Sequence, residues 1–141
     1  MRLSVRLSCL ALLVVAPLAC APAGPTPVPV SGRITSNNRP LADADVVFIP
    51  AEGGEPGKPL LTSSGKTDGQ GRYSLKLDDS RHDGAAPGDY KVQISIFDRG
   101  GEGRPPRGQL IPAAYNRNTT LRITVPPSGT TQADFNLPAR P

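Results

Sequence analysis

Tryptophan is absent from this sequence, histidine occurs once, and both cysteines fall within the first twenty residues. Each shortage closes off a chemistry. His82, standing alone, cannot form a histidine cluster around a metal, and no second histidine exists to relay protons. Cys9 and Cys20 lie too far forward to staple later segments, so the fold behind them has to stand without a disulfide. A G-x-S-x-G elbow for a serine nucleophile is missing as well. Aromatic residues make up 4% of the chain, too few for a good sugar-stacking platform. The reading is therefore of a chain that is not an enzyme, with no cofactor and no metal.

Strong charge is also lacking. The formal net charge is +4 over 141 residues, and two of the basic groups, Arg2 and Arg6, belong to the extreme N-terminus. Without them fourteen basic residues face twelve acidic ones, a net +2, and the two signs alternate. No nucleic-acid footprint survives.

What is present begins with an address. Arg2 and Arg6 precede a mostly apolar run from Leu7 to Ala16, which is closed by Pro17-Leu18-Ala19-Cys20. That is the layout of a secretory signal peptide, and the run is too short for a membrane-spanning helix. A cysteine directly after a small residue resembles the lipobox of bacterial lipoproteins, although Pro17 stands where a leucine is usual. The resemblance implies cleavage before Cys20, lipidation of Cys20 with palmitate-type chains, and a lipid-anchored place in the cell envelope. Ala21 after the cysteine would favour the outer membrane. Cleavage after Ala23, giving a secreted protein, is the alternative. Pro22, Pro25, Pro27 and Pro29 make residues 20–29 a semi-rigid polyproline spacer.

Behind the spacer, 15 glycines and 17 prolines in the whole chain punctuate short apolar runs. Seven strands are predicted, over residues 28–35, 44–49, 60–66, 72–77, 89–97, 121–125 and 131–137. The run Val46-Val47-Phe48-Ile49 lacks alternation and suggests a central strand, whereas Tyr90, Val92, Ile94 and Ile96 alternate cleanly with polar residues. No helical periodicity interrupts them. The fold class expected is all-β, a seven-stranded antiparallel sandwich in a single domain over residues 30–138.

Thr67-Asp68-Gly69-Gln70-Gly71-Arg72-Tyr73 reads as the organising turn. Asp68 can accept the amide two residues on, and Gly69 and Gly71 can take positive φ. Together with Val30-Ser31-Gly32-Arg33-Ile34, Arg39-Pro40-Leu41-Ala42-Asp43-Ala44-Asp45-Val46 and Pro87-Gly88-Asp89-Tyr90-Lys91-Val92, it resembles the carboxypeptidase regulatory-like domain, a transthyretin-like (prealbumin-like) sandwich. Ile111-Pro112-Ala113-Ala114-Tyr115-Asn116 is similar to a segment of small lipoproteins of planctomycete-like bacteria. The resemblance implies an accessory, non-catalytic role, structural or adhesive, with an envelope protein or polysaccharide as partner. A secreted glycan- or peptide-binding module is the alternative.

Few side chains point to a site. Asp68-x-Gln70 opens like a calcium loop, but Arg72 takes its fifth place and Asp79 its twelfth. Residues 98–109 carry no aliphatic side chain and are expected to form a mobile loop, from which Arg99, Arg104 and Arg107 could contact a partner. Tyr73 and Tyr90 are expected in the core. Tyr115 is expected at an edge, with its hydroxyl on backbone in the manner of a tyrosine corner.

Overall fold

The computed structural model describes residues 26–51, 61–78 and 82–138. The signal segment 1–19, Cys20 and the spacer as far as Pro25 lie outside them. The chain is all-β, and nine of its strands form two sheets over one shared core, with a two-stranded ribbon beside them. In the first sheet β1 (Ser31–Ser36) is central. One side of it holds β2 (Arg39–Pro40) and β5 (Arg72–Ser74), both antiparallel, and the other holds β11 (Phe135–Leu137). The second sheet is antiparallel throughout, in the order β10 (Arg122–Val125), β7 (Gly88–Ser95), β3 (Asp45–Pro50), β4 (Ser63–Lys66), β6 (Lys76–Leu77).

Each of the seven predicted segments contains strand, and the differences are local. The fourth breaks at Leu75, because β5 pairs with β1 whereas β6 pairs with β4; Leu75 is where the chain passes from one sheet to the other. The fifth splits too, into β7 and the start of a separate ribbon of β8 (Phe97–Asp98) with β9 (Gly108–Gln109), and β9 and β2 come from segments read as loop or turn. The count among the described residues is therefore eleven rather than seven. One ladder departs from the expected antiparallel pairing. β11 runs parallel to β1, with Ile34 opposite Phe135 and Ser36 opposite Leu137.

Local chemistry explains the corners. Asn37 and Asn38 take φ of 49° and 61°, the left-handed pair that a tight turn between β1 and β2 requires and that asparagine tolerates. β3 lies at the centre of its sheet, as its unbroken apolar run suggested, with Val46 and Phe48 fully buried. Tyr90, Val92 and Ile94 of β7 are buried as the alternation requires.

Phe48 joins the layers. Its ring meets Tyr73 and Phe135 from the first sheet at centroid distances of 6.5 and 6.4 Å, and Tyr90 from its own sheet at 5.8 Å. Tilted contacts of this kind suit the ring quadrupoles. The buried hydroxyls are satisfied by backbone: Tyr73 donates to the Ala133 carbonyl at 2.6 Å and Tyr90 to that of Ala86 at 2.8 Å. Tyr115, at the edge, donates to the Pro138 carbonyl at 3.2 Å.

The Ala133 carbonyl also presses on β1. A methyl group added at Gly32 would sit 2.1 Å from its oxygen, whereas one at Gly69 would meet nothing within 4 Å. Gly32→Ala is thus expected to cost about 1–3 kcal/mol, and Gly69→Ala less than about 0.5 kcal/mol, in denaturant titrations. Ser63 is fully buried, and its Oγ has no hydrogen-bond partner. Ser63→Ala removes that stranded polar atom and is expected to stabilise the protein by about 1 kcal/mol in the same titrations.

Candidate functional site

The organising turn is closed by its aspartate. Asp68 Oδ1 accepts the amides of Gln70 at 2.8 Å and Arg72 at 2.9 Å, while the Asp68 amide donates to the Arg72 carbonyl at 2.8 Å. Gly71 takes φ +73°, and a methyl there would fall 2.4 Å from the Ile34 carbonyl oxygen, so the tip lies hard against β1. Gly69, expected to share that conformation, does not adopt it.

Docking the turn on β1 creates a groove of about 540 Å³ on the outer face of the first sheet. Ser31, Gly32 and Arg33 of β1 and Arg72, Tyr73 and Ser74 of β5 line its floor. Lys66 and Asp68 border it on the turn side, and Thr131 and Asp134 on the side of residues 130–134, the closing segment that leads into β11. Ser31 stands opposite Ser74, and Arg33 opposite Arg72. Amide bonds from Ile34 to Gly71 and from Leu75 to Val30 place Arg33 and Arg72 at a non-hydrogen-bonded pair, the arrangement in which facing side chains come closest.

Two arginines directly across a ladder repel each other, yet neither guanidinium makes a hydrogen bond or ion pair among the described residues. The neighbouring acids are turned to backbone work. Asp134 Oδ1 accepts the Arg33 amide at 2.7 Å, and Asp68 Oδ1 holds its own turn. Lys66 pairs at 3.6 Å with Asp45, its partner across the β3–β4 ladder. The groove therefore mixes unengaged cationic donors, serine and threonine hydroxyls, and carboxylate oxygens. Tyr73 offers it no phenol, since that hydroxyl is turned inward to Ala133 and burial pushes its pKa well above the ordinary tyrosine value.

Sequence reasoning missed this groove, because Arg33 and Arg72 meet only through the β1–β5 register. Outward alternation on both strands was the available signal. The arginines it did select lie elsewhere, and the segment expected to be a mobile loop is the β8–β9 ribbon. Arg104 grips the Asp98 carboxylate with both guanidinium nitrogens, one at 2.9 Å, and Arg107 Nε stands 4.0 Å away. Arg104, followed by the Gly100 amide, holds the Asp98 carboxyl below its usual range. Arg99 is exposed. A smaller hollow of about 410 Å³ lies along β10, where the Thr124 hydroxyl donates to Asp89. Cys20 lies outside the described residues, and among them no three histidine, cysteine or acidic side chains gather as metal ligands.

No protein-family model matches the chain, and neither does any curated protein or solved structure compared with it.

The amides of Arg72, and next of Gln70, hold the Asp68 carboxyl below the ordinary carboxylate value. A group lowered in this way contributes stability that is present above the unfolded-state pKa and lost as pH falls through the folded-state one. Asp68→Ala is therefore expected to lower Tm at pH 7, and the gap to the unsubstituted protein should narrow as pH is lowered below about 4. A gap of constant size across that fall would show that the charge does not hold the turn.

Proposed function

We propose that this chain is a membrane-anchored cell-envelope lipoprotein whose β-sandwich is non-catalytic, of the transthyretin-like, carboxypeptidase regulatory-like kind, and serves a structural or adhesive binding role. Cys20 carries the reading: a thiol directly after a small residue, behind a basic and then apolar segment and ahead of a proline spacer. More than one acyl chain on that residue gives stable membrane attachment, where a single chain is marginal.

The fold supports a tethered domain through the way the chain enters it. Val28 and Ala85 exchange both backbone hydrogen bonds, at 2.9 and 3.0 Å. Thr130 donates to the Pro29 carbonyl at 3.0 Å, and Ser31 donates to that of Thr130 at 2.9 Å. The end of the spacer is thus sewn to two separate loops before β1 begins. The open groove on a rigid sheet face, built of polar side chains, supports binding over chemistry.

Metabolic labelling with radioactive palmitate and cell fractionation test the anchor. The unsubstituted chain should carry label and sediment with membranes, and Cys20→Ala should lose both. Label retained by Cys20→Ala, or a mature protein beginning at Gly24, would overturn the anchored reading in favour of a secreted glycan- or peptide-binding module.

A further inference from the structure

Arg33 and Arg72 set two exposed guanidiniums side by side on the floor of the groove. Like charges directly across a ladder destabilise it; Asp68 is close enough for its carboxylate to feel both arginine charges, but it hydrogen-bonds backbone amides and neither guanidinium. Their joint demand is for an oxyanion between them, where charge-assisted hydrogen bonds from both sides would be short and strong. The rest of the lining narrows the class. Asp68 and Asp134 border the same groove, so a densely charged polyanion would meet two carboxylates and be repelled. Each of these acids uses Oδ1 on backbone amides, which leaves Oδ2 to accept hydrogen bonds from a ligand. The hydroxyls of Ser31, Ser74 and Thr131 add groups that both donate and accept. Oxyanion at one point and hydroxyls at several others is the pattern of a sugar chain with sparse acidic groups.

We infer that the groove between β1, β5 and the closing segment binds an acidic saccharide, with Arg33 and Arg72 clamping a carboxylate or phosphate and Asp68 and Asp134 accepting from ring hydroxyls. The inference rests on the binding role proposed above and supplies its ligand class. Without an aromatic platform the affinity depends on the clamp, so it falls as salt rises.

Titration calorimetry on the full chain in detergent micelles tests it, with sialyllactose (a trisaccharide carrying one carboxylate), its methyl ester, a trisaccharide carrying one phosphate, and triglutamate as probes. Binding of either acidic sugar, weakened about tenfold by Arg33→Gln and again by Arg72→Gln, is the expected result. Circular dichroism and Tm should show both variants folded, since each side chain is exposed. Which acidic sugar binds distinguishes carboxylate from phosphate. Equal binding of the methyl ester, equal binding of triglutamate, or a double variant as tight as the unsubstituted chain would each overturn the inference while leaving a binding module in place. Failure of all four probes to bind would overturn the inference and count against the binding role itself. Neither result bears on the anchor, which the Cys20→Ala fractionation reads separately.

Discussion

The carbonyl of Ala133 lies wedged between Gly32 and the hydroxyl of Tyr73, and much of the first sheet follows from that contact. Only a residue without a side chain lets the closing segment approach β1 so nearly, and only a buried phenol of the right length can reach the oxygen that arrives there. The Ala133 amide donates in turn to the Ser31 carbonyl at 3.1 Å. Three elements far apart in sequence are thereby locked together: the first strand, the strand after the organising turn, and the run into the last strand. β11 then has no route except alongside β1 in the same direction, which is why a fold otherwise made of antiparallel ladders contains one parallel pair.

That lock matters because the interior has few other resources. With 4% aromatic residues in the chain and no cysteine beyond Cys20, cohesion between the sheets falls on packing alone. Phe48 is the hinge of it, since the rings it touches come from both layers and two of them, Tyr73 and Tyr90, are fixed at their far ends by backbone carbonyls. A tyrosine used in this way fills volume like phenylalanine and also spans to a polar group that would otherwise be buried unsatisfied.

Periodicity made the strands readable, because a face that must be buried writes itself as alternation: Tyr73, Leu75 and Leu77, or Tyr90, Val92 and Ile94, announce their side of the sheet. The Asp68 turn was equally readable, being chemistry between near neighbours. Pairing was not. Nothing in Leu75 says that it marks a change of sheet, and nothing in Arg33 says that it will face Arg72, since both facts depend on which strands lie side by side. The β8–β9 ribbon escaped for a related reason. Its glycines and prolines looked like a loop, and the order comes from Asp98, which pairs with Arg104 six residues on, together with Gln109 Oε1, which accepts the amides of Ile96 at 2.9 Å and Ile111 at 3.0 Å.

The groove and the point of chain entry share residues, and this ties the two halves of the functional proposal together. Ser31 takes part in the entry seam through its amide and lines the groove with its side chain; Thr131, on the opposite wall, follows directly after Thr130, which holds the seam from the other side. On the anchored reading, tension on the spacer is delivered first to the pairs Val28–Ala85 and Val30–Thr130, and these meet it before β1 does. A groove so placed keeps its shape under load for as long as the seam holds, because Arg33 and Arg72 are set by the β1–β5 ladder beyond it. Breaking the seam would release Thr130 and Thr131 together, opening one wall while leaving the arginine pair standing. On the anchored and saccharide-binding proposals taken together, retention of the sugar under tension would depend on a few backbone hydrogen bonds at the entry point.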